Sequence, residues 1–194
     1  MVKVYRYFGM LMILVEWLLV ASLYLIRPKQ LTKITPISDF LKIGSTHYLF
    51  IAGFLVVAIL FYIFIHKYLK EVLIVPTKLF DLSLAFLIIA LLVPYSTWGH
   101  GIHNIGASLF AICFFSGVFI IGRKNKLPYV RNVSYLSVGL VLLALLLIAI
   151  LEGIHSILLF EFAIGVSGQA WILLISIRRQ HMQMISNRVD YESQ

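Results

Sequence analysis

Six long apolar runs dominate the pattern of hydrophobic and polar positions along the chain. Each run has roughly the 17–25 residues that a helix needs to cross the hydrocarbon core of a bilayer. Whole helical turns are apolar on every side, as over Leu140–Leu151, whereas an amphipathic helix of a soluble protein would keep a polar face. The pattern predicts six membrane-spanning helices, at 8–26, 47–66, 79–95, 103–122, 134–151 and 156–177.

These runs predict an all-α polytopic membrane protein with a six-helix bundle. The composition agrees, because 61% of the residues are hydrophobic and only 12% are charged. Residues 1–179 are predicted to form one transmembrane domain, followed by a polar cytoplasmic tail at 180–194. The first run lacks a clear cleavage motif, so we interpret it as a retained helix. The single Cys113 lies in the fourth run, where we expect it to be a packing residue.

Lysine and arginine residues are distributed unequally between the two predicted faces. Twelve of the sixteen lie at the N-terminus, in the second and fourth loops, and in the C-terminal tail, all on one side of the membrane. The other four lie in the first loop, on the opposite side. The positive-inside rule therefore places both termini in the cytoplasm. The net charge of +8 reflects this topology and contact with anionic lipid, so a nucleic-acid partner is not expected.

Four of the polar residues inside the predicted spans stand out: Glu16, Asp81, Glu161 and Gln169. No lysine or arginine lies at the centre of any span, so the two glutamates have no obvious buried cation. Insertion of a charged side chain at the centre of a membrane helix costs about 2.5–3.5 kcal/mol. An ionisable residue in a span therefore indicates a functional site by default. The alternative is that Glu16 only forms a hydrogen bond between helices and adds specificity to packing.

Most of the remaining polar residues that suggest chemistry fall on the predicted outer face, at the helix ends above Glu161. They are Asp39, His47, His100, His103, Asn104, Glu152 and His155. Three interpretations stay open: a polar pocket for a lipid or small molecule, a divalent-metal site, and a belt of interfacial residues at the headgroup level.

A metal site would use His100, His103, Glu152 and His155, which form two pairs at i, i+3 spacing. Zinc is the metal most often held by histidine and carboxylate ligands, although another divalent ion would also fit. Glycines within both segments, such as Gly99, weaken the expectation of continuous helix there.

Two further patterns concern packing. Patches of small residues are predicted to let neighbouring helices approach closely, at Gly106, Ala107, Ser108 and Ala111 in the fourth run, and at Ala163, Gly165, Ser167 and Gly168 in the sixth. The first outer loop, Arg27–Thr46, is predicted to contain a short interfacial helix over Phe40–Ile43, capped by Ser38 or Asp39.

Three segments in order carry a family resemblance. They are Thr35–Asp39 (Thr-Pro-Ile-Ser-Asp) in the first outer loop, Pro94 followed by His103–Ala107 (His-Asn-Ile-Gly-Ala), and Phe160–Phe162 (Phe-Glu-Phe) with Trp171. The chain thereby resembles the bacterial and archaeal six-helix membrane proteins known as domain of unknown function 998, which are similar to the Frag1/DRAM/Sfk1 group. The resemblance implies the same six-helix fold in the inner or plasma membrane of a prokaryote, and it implies no particular chemistry.

Two functional hypotheses follow. The first is a protein that binds a lipid or small amphiphile in a polar cavity on the outer-leaflet side, lined by Asp39, His103 and Glu161. The second is a metal-dependent hydrolase that acts on a lipid amide or ester at the outer histidines and Glu152. Haem is disfavoured because the histidines lie at helix ends, and retinal because no span contains a lysine. Membrane lipids are the expected partners, and nothing in the sequence indicates a homo-oligomer.

Overall fold

A computed structural model describes residues 2–28, 37–42, 44–93, 97–150 and 160–177. Six helices account for most of this part of the chain. They are α1 (Val2–Ile26), α2 (Gly44–Ile63, which continues through a π-helical segment, Phe64–Leu69, to Val72), α3 (Thr77–Leu92), α4 (Thr97–Lys124), α5 (Pro128–Ile150) and α6 (Phe160–Ile177). A 3-10 helix, Ile37–Lys42, lies between α1 and α2. The all-helical prediction is confirmed, and the predicted tail at 180–194 lies outside the described residues.

Five of the six helices in the described part of the chain are long and apolar enough to cross a membrane. The spans are Val4–Ile26, Thr46–Val72, Gly101–Lys124, Pro128–Leu147 and Phe160–Ile177. The remaining helix, α3, has 16 residues and is therefore only about 24 Å long. Large apolar side chains face outward on all six, including Leu18, Ile59, Ile89, Ile112 and Leu146. Such an exterior is suited to lipid rather than to water.

The boundary between α3 and α4 differs from the prediction. Helix α3 ends at Leu92 rather than Tyr95, because Val93 is extended (φ −72°, ψ 123°), as the residue before a proline prefers to be. Helix α4 begins at Thr97, six residues before the predicted start, and runs through Gly99 and Gly101. The expectation that these glycines interrupt the helix is therefore wrong.

The 3-10 helix is anchored to the bundle by its second half. Phe40 and Leu41 are buried and pack with Leu19, Leu23 and Phe50. Two side chains at the start of α2 contact carbonyl groups of the 3-10 helix. Thr46 Oγ1 donates to the Phe40 oxygen at 3.2 Å, and His47 Nδ1 lies 2.9 Å from the Leu41 oxygen. A short interfacial helix was predicted here, and the observed one begins at Ile37, so Ser38 and Asp39 lie inside its first turn.

An aromatic cluster fills the centre of the bundle. The ring of Phe114 lies 5.6 Å from Phe61, 5.7 Å from Phe80 and 6.2 Å from Trp171, so α2, α3, α4 and α6 meet there. Trp171 is fully buried and donates its indole N–H to Ser134 Oγ at 2.9 Å, which ties α6 to α5. Cys113, on the same helix as Phe114, is buried and unpaired, as predicted for a packing residue.

Candidate functional site: a polar-ended cavity within the bundle

An open cavity of about 520 Å³ lies above the aromatic cluster. All six helices and the 3-10 helix contribute to its wall. Most of the wall is apolar, and its polar members are Glu16, Ser38, His103, Asn104, Ser108, Glu161 and Gln169. A concave, mainly apolar space with a few convergent polar groups is the usual form of a small-molecule site, and the volume lies within the roughly 300–1,000 Å³ range of such sites.

Glu161 holds the 3-10 helix across one end of the cavity, which we call its outer end because the 3-10 helix belongs to the predicted outer loop. Its Oε2 accepts a hydrogen bond from the backbone N–H of Ile37 at 2.8 Å. The backbone N–H and the hydroxyl group of Ser38 also donate to the Glu161 carboxyl group. Because the first N–H groups of a helix have no partners within it and carry partial positive charge, a carboxyl group is a favourable cap. Glu161 therefore fixes the N-terminal end of the segment that Phe40 and Leu41 anchor at its other end.

His103 contacts a carbonyl oxygen in the last turn of α3. Its Nδ1 lies 2.8 Å from the carbonyl oxygen of Ala90. In a continuing helix that oxygen would accept from the residue four positions on, which is Pro94 and has no N–H. Since a carbonyl oxygen only accepts, Nδ1 carries the proton and His103 replaces the missing donor. The ring also lies within electrostatic reach of Glu161.

Gly106 allows α4 to approach α3 closely enough for this bond. A Cβ atom built on Gly106 would lie 3.1 Å from the Ala90 Cβ and 3.2 Å from the Phe86 carbonyl oxygen. Gly165 has the opposite surroundings, because a Cβ built there meets no atom of the described residues within 4 Å and Gly165 itself lines the cavity. Packing was predicted for both small-residue patches. It is confirmed for Gly106 and, in the second patch, for Gly168, where an added Cβ would lie 3.3 Å from the Phe114 ring, whereas Gly165 leaves space instead.

A second polar group lies deeper in the cavity, about 12 Å along α6 from Glu161 at 1.5 Å per residue. Trp17 Nε1 donates to Gln169 Oε1 at 2.8 Å, and Gln169 is hydrogen-bonded to Glu16 through its side chain. Because an indole N–H can only donate, it fixes the amide oxygen toward Trp17 and leaves the amide NH₂ group for Glu16. The cavity thus has a polar outer end and a polar inner end, with apolar wall between them.

The predicted site residues divide into three groups. Those that line the cavity are Glu16, His103, Asn104, Glu161 and Gln169. Two lie elsewhere: His47 contacts the Leu41 carbonyl and Tyr48, and Asp81 forms a pair with His66 at 2.7 Å on another part of the bundle. The rest are outside the described part of the structure, namely Glu152, His155 and the side chains of Asp39 and His100.

Within the part of the chain that the structure describes, no three His, Cys, Asp or Glu side chains lie together as a metal site would require. Three of the four residues of the predicted metal site have undescribed side chains, since only that of His103 is described. The zinc site and the hydrolase activity that depends on it therefore stay predictions.

Sequence reasoning missed several members of the cavity wall, including Ser38, Ser108 and Gly165. Ser38 was predicted only as a helix cap, whereas it both lines the cavity and donates to Glu161. Ser108 and Gly165 were assigned to helix packing. Spacing provides a signal for Gly165, because Glu161, Gly165 and Gln169 recur every four residues and share one face of α6.

No family model, curated protein or solved structure matches this chain. The resemblance to domain of unknown function 998 therefore stays a prediction based on its three short segments.

Proposed function

We propose that this is a six-span protein of a prokaryotic inner or plasma membrane that binds a lipid or small amphiphile in its central cavity. All six helices cross the bilayer and both termini lie in the cytoplasm. Packing supports a span for the short α3, since it lies along α4 and exposes apolar side chains such as Leu82 and Leu92 on its other face. A short span is accommodated by local thinning of the bilayer.

The observation that carries the binding function is the combination of apolar wall and polar ends in one open cavity. Phe50, Phe54, Leu87 and Ile164 supply surface for a hydrocarbon body. The exposed Asn104 side chain, together with His103 and Ser38, supplies polar groups to the same wall. An amphiphile matches both requirements, whereas a purely polar solute would leave the aromatic wall uncovered.

The fold also favours binding over a purely structural role for this space. Interiors of proteins are packed to the density of organic crystals, and few voids exceed the size of a water molecule. An apolar space of about 520 Å³ that is open and that the described side chains do not fill loses contacts along its wall. Occupation by a hydrocarbon group restores those contacts.

Quantification of co-purified amphiphile tests this proposal. The full-length protein, exchanged through several volumes of detergent that lacks lipid, is extracted with organic solvent and the extract is analysed by mass spectrometry. We expect about one amphiphile per protein to resist the exchange, at an affinity typical of buried ligand sites. A helical-bundle membrane protein without a cavity is exchanged in parallel as the control. Loss of all lipid from the protein as fast as from this control would contradict the proposal.

A further inference from the structure

The inner end of the cavity has acceptor capacity that the protein itself does not use. An ionised carboxyl group can accept about four hydrogen bonds. Among the described residues, Glu16 has one hydrogen-bonding partner, Gln169, although it lies mid-span and is mostly buried. Glu161 differs, because Ile37 and Ser38 already supply three donors to it. Glu16 is therefore the carboxyl group with oxygen atoms left to face the cavity.

The charges around the cavity favour one sign of ligand. Two carboxyl groups, Glu16 and Glu161, line it, and no lysine or arginine is present among its described lining residues. An anionic group placed there would lie beside two carboxyl groups, with no described lysine or arginine to pair with, in surroundings where charges interact strongly. An ammonium group would supply the hydrogen-bond donors that Glu16 lacks and a charge of the opposite sign.

We propose that the cavity selects an amphiphile whose polar group is an amine, and that Glu16 binds this group at the inner end of the cavity. This inference rests on the proposed amphiphile site and adds the chemistry of the ligand. The apolar wall between the two polar ends requires a hydrocarbon body, so a lipid-like amine fits and a small free amine does not.

A competition experiment with probes of equal chain length tests the inference. The protein is reconstituted in phosphatidylcholine nanodiscs, and radiolabelled dodecanol bound above the level of empty nanodiscs is displaced by dodecylamine, dodecanesulfonate or ethylamine. Dodecylamine should displace the label at a concentration at least about tenfold lower than dodecanesulfonate does, because pairing of close charges contributes strongly in desolvated sites. Ethylamine should displace little, since it has no body to cover the wall.

Two matched variants assign the selectivity to one side chain. Glu16→Gln should reduce the preference for dodecylamine over dodecanesulfonate to within about threefold while dodecanol still binds, because the amide keeps the size but loses the charge. Glu161→Gln, the same change in the same cavity, should keep the preference. An unchanged preference in the Glu16→Gln protein would overturn the proposal.

The competition experiment on the wild-type protein alone also tests the inference if a variant does not fold. Equal displacement by dodecylamine and dodecanesulfonate would overturn the amine selectivity while leaving the amphiphile site standing. Displacement by ethylamine as effective as by dodecylamine would show a small-amine site and would also overturn it. A protein that binds no dodecanol above empty nanodiscs would contradict the proposed function itself.

Discussion

The Nδ1–H group of His103 donates to the carbonyl oxygen of Ala90 across 2.8 Å. This bond supplies the donor that Pro94 cannot, and it joins the start of α4 to the end of α3 at the wall of the cavity. The histidine therefore has a structural role that does not depend on any ligand. Its position within electrostatic reach of Glu161 also makes it part of the polar outer end.

Replacement of His103 by alanine should destabilise the protein by about 1–3 kcal/mol, the cost of leaving a buried carbonyl group without a partner. Thermal unfolding in detergent, followed with a thiol-reactive dye at the buried Cys113, measures the loss. The cost should be smaller in a Pro94→Ala background, because residue 94 then has an N–H to donate. Equal costs in the two backgrounds would show that the bond does not compensate for the proline.

Glu161→Leu should release the N-terminal end of the 3-10 helix. Hydrogen–deuterium exchange at the amides of Ile37 and Ser38 should accelerate, because their acceptor is removed. The buried anchors Phe40 and Leu41 should change less. Glu161→Gln keeps an acceptor oxygen and should give an intermediate result, and unaltered exchange in both variants would argue against a cap at Glu161.

Gly106→Val should destabilise the contact between α3 and α4 by about 1–3 kcal/mol, as overpacking does where backbone atoms cannot move aside. The added side chain would meet the Phe86 carbonyl oxygen and the Ala90 backbone. Gly139→Val is the control, because a Cβ at Gly139 meets no atom within 4 Å. Similar unfolding temperatures for the two variants would contradict the close approach.

Cysteine labelling distinguishes six spans from five. In a Cys113→Ser background, a membrane-impermeant maleimide applied to intact cells should label Tyr48→Cys and should not label Glu71→Cys or Lys124→Cys. If α3 did not cross the bilayer, the direction of α4 would reverse and Lys124→Cys would become accessible. The label at Lys124 therefore decides the topology.

Much of the fold could be predicted because the length of each apolar run is a strong signal that can be read from the sequence itself. The boundary at Pro94 was harder, since the helix-weakening effect of Gly99 and Gly101 competes with the packing of α4 along α3, and the packing prevails. Among the residues that line the cavity, Glu16, Glu161 and Gln169 were singled out because polar groups are costly in a membrane, whereas His103 and Asn104 were singled out by their position at the predicted outer face.

The absence of a side chain gives no comparable signal. Gly106 and Gly165 both lie in patches of small residues, so the sequence does not distinguish them. The neighbouring helices determine that Gly106 packs tightly and that Gly165 leaves space. The hydrogen bonds of Glu161 to Ile37 and Ser38 likewise join residues more than 120 positions apart. Such a contact depends on how the helices assemble, which hydrophobic patterning does not specify.

Filling the cavity tests the central claim most directly. Gly165→Leu adds a side chain that points into open space, so the helix should form normally while the volume for a ligand falls. Gly139→Leu adds the same side chain on the exposed face of α5. We predict that Gly165→Leu lowers co-purified amphiphile by about tenfold or more, as loss of a well-filled pocket does, while Gly139→Leu retains the wild-type amount. Equal amounts of bound amphiphile in the two variants would contradict a ligand site in this cavity.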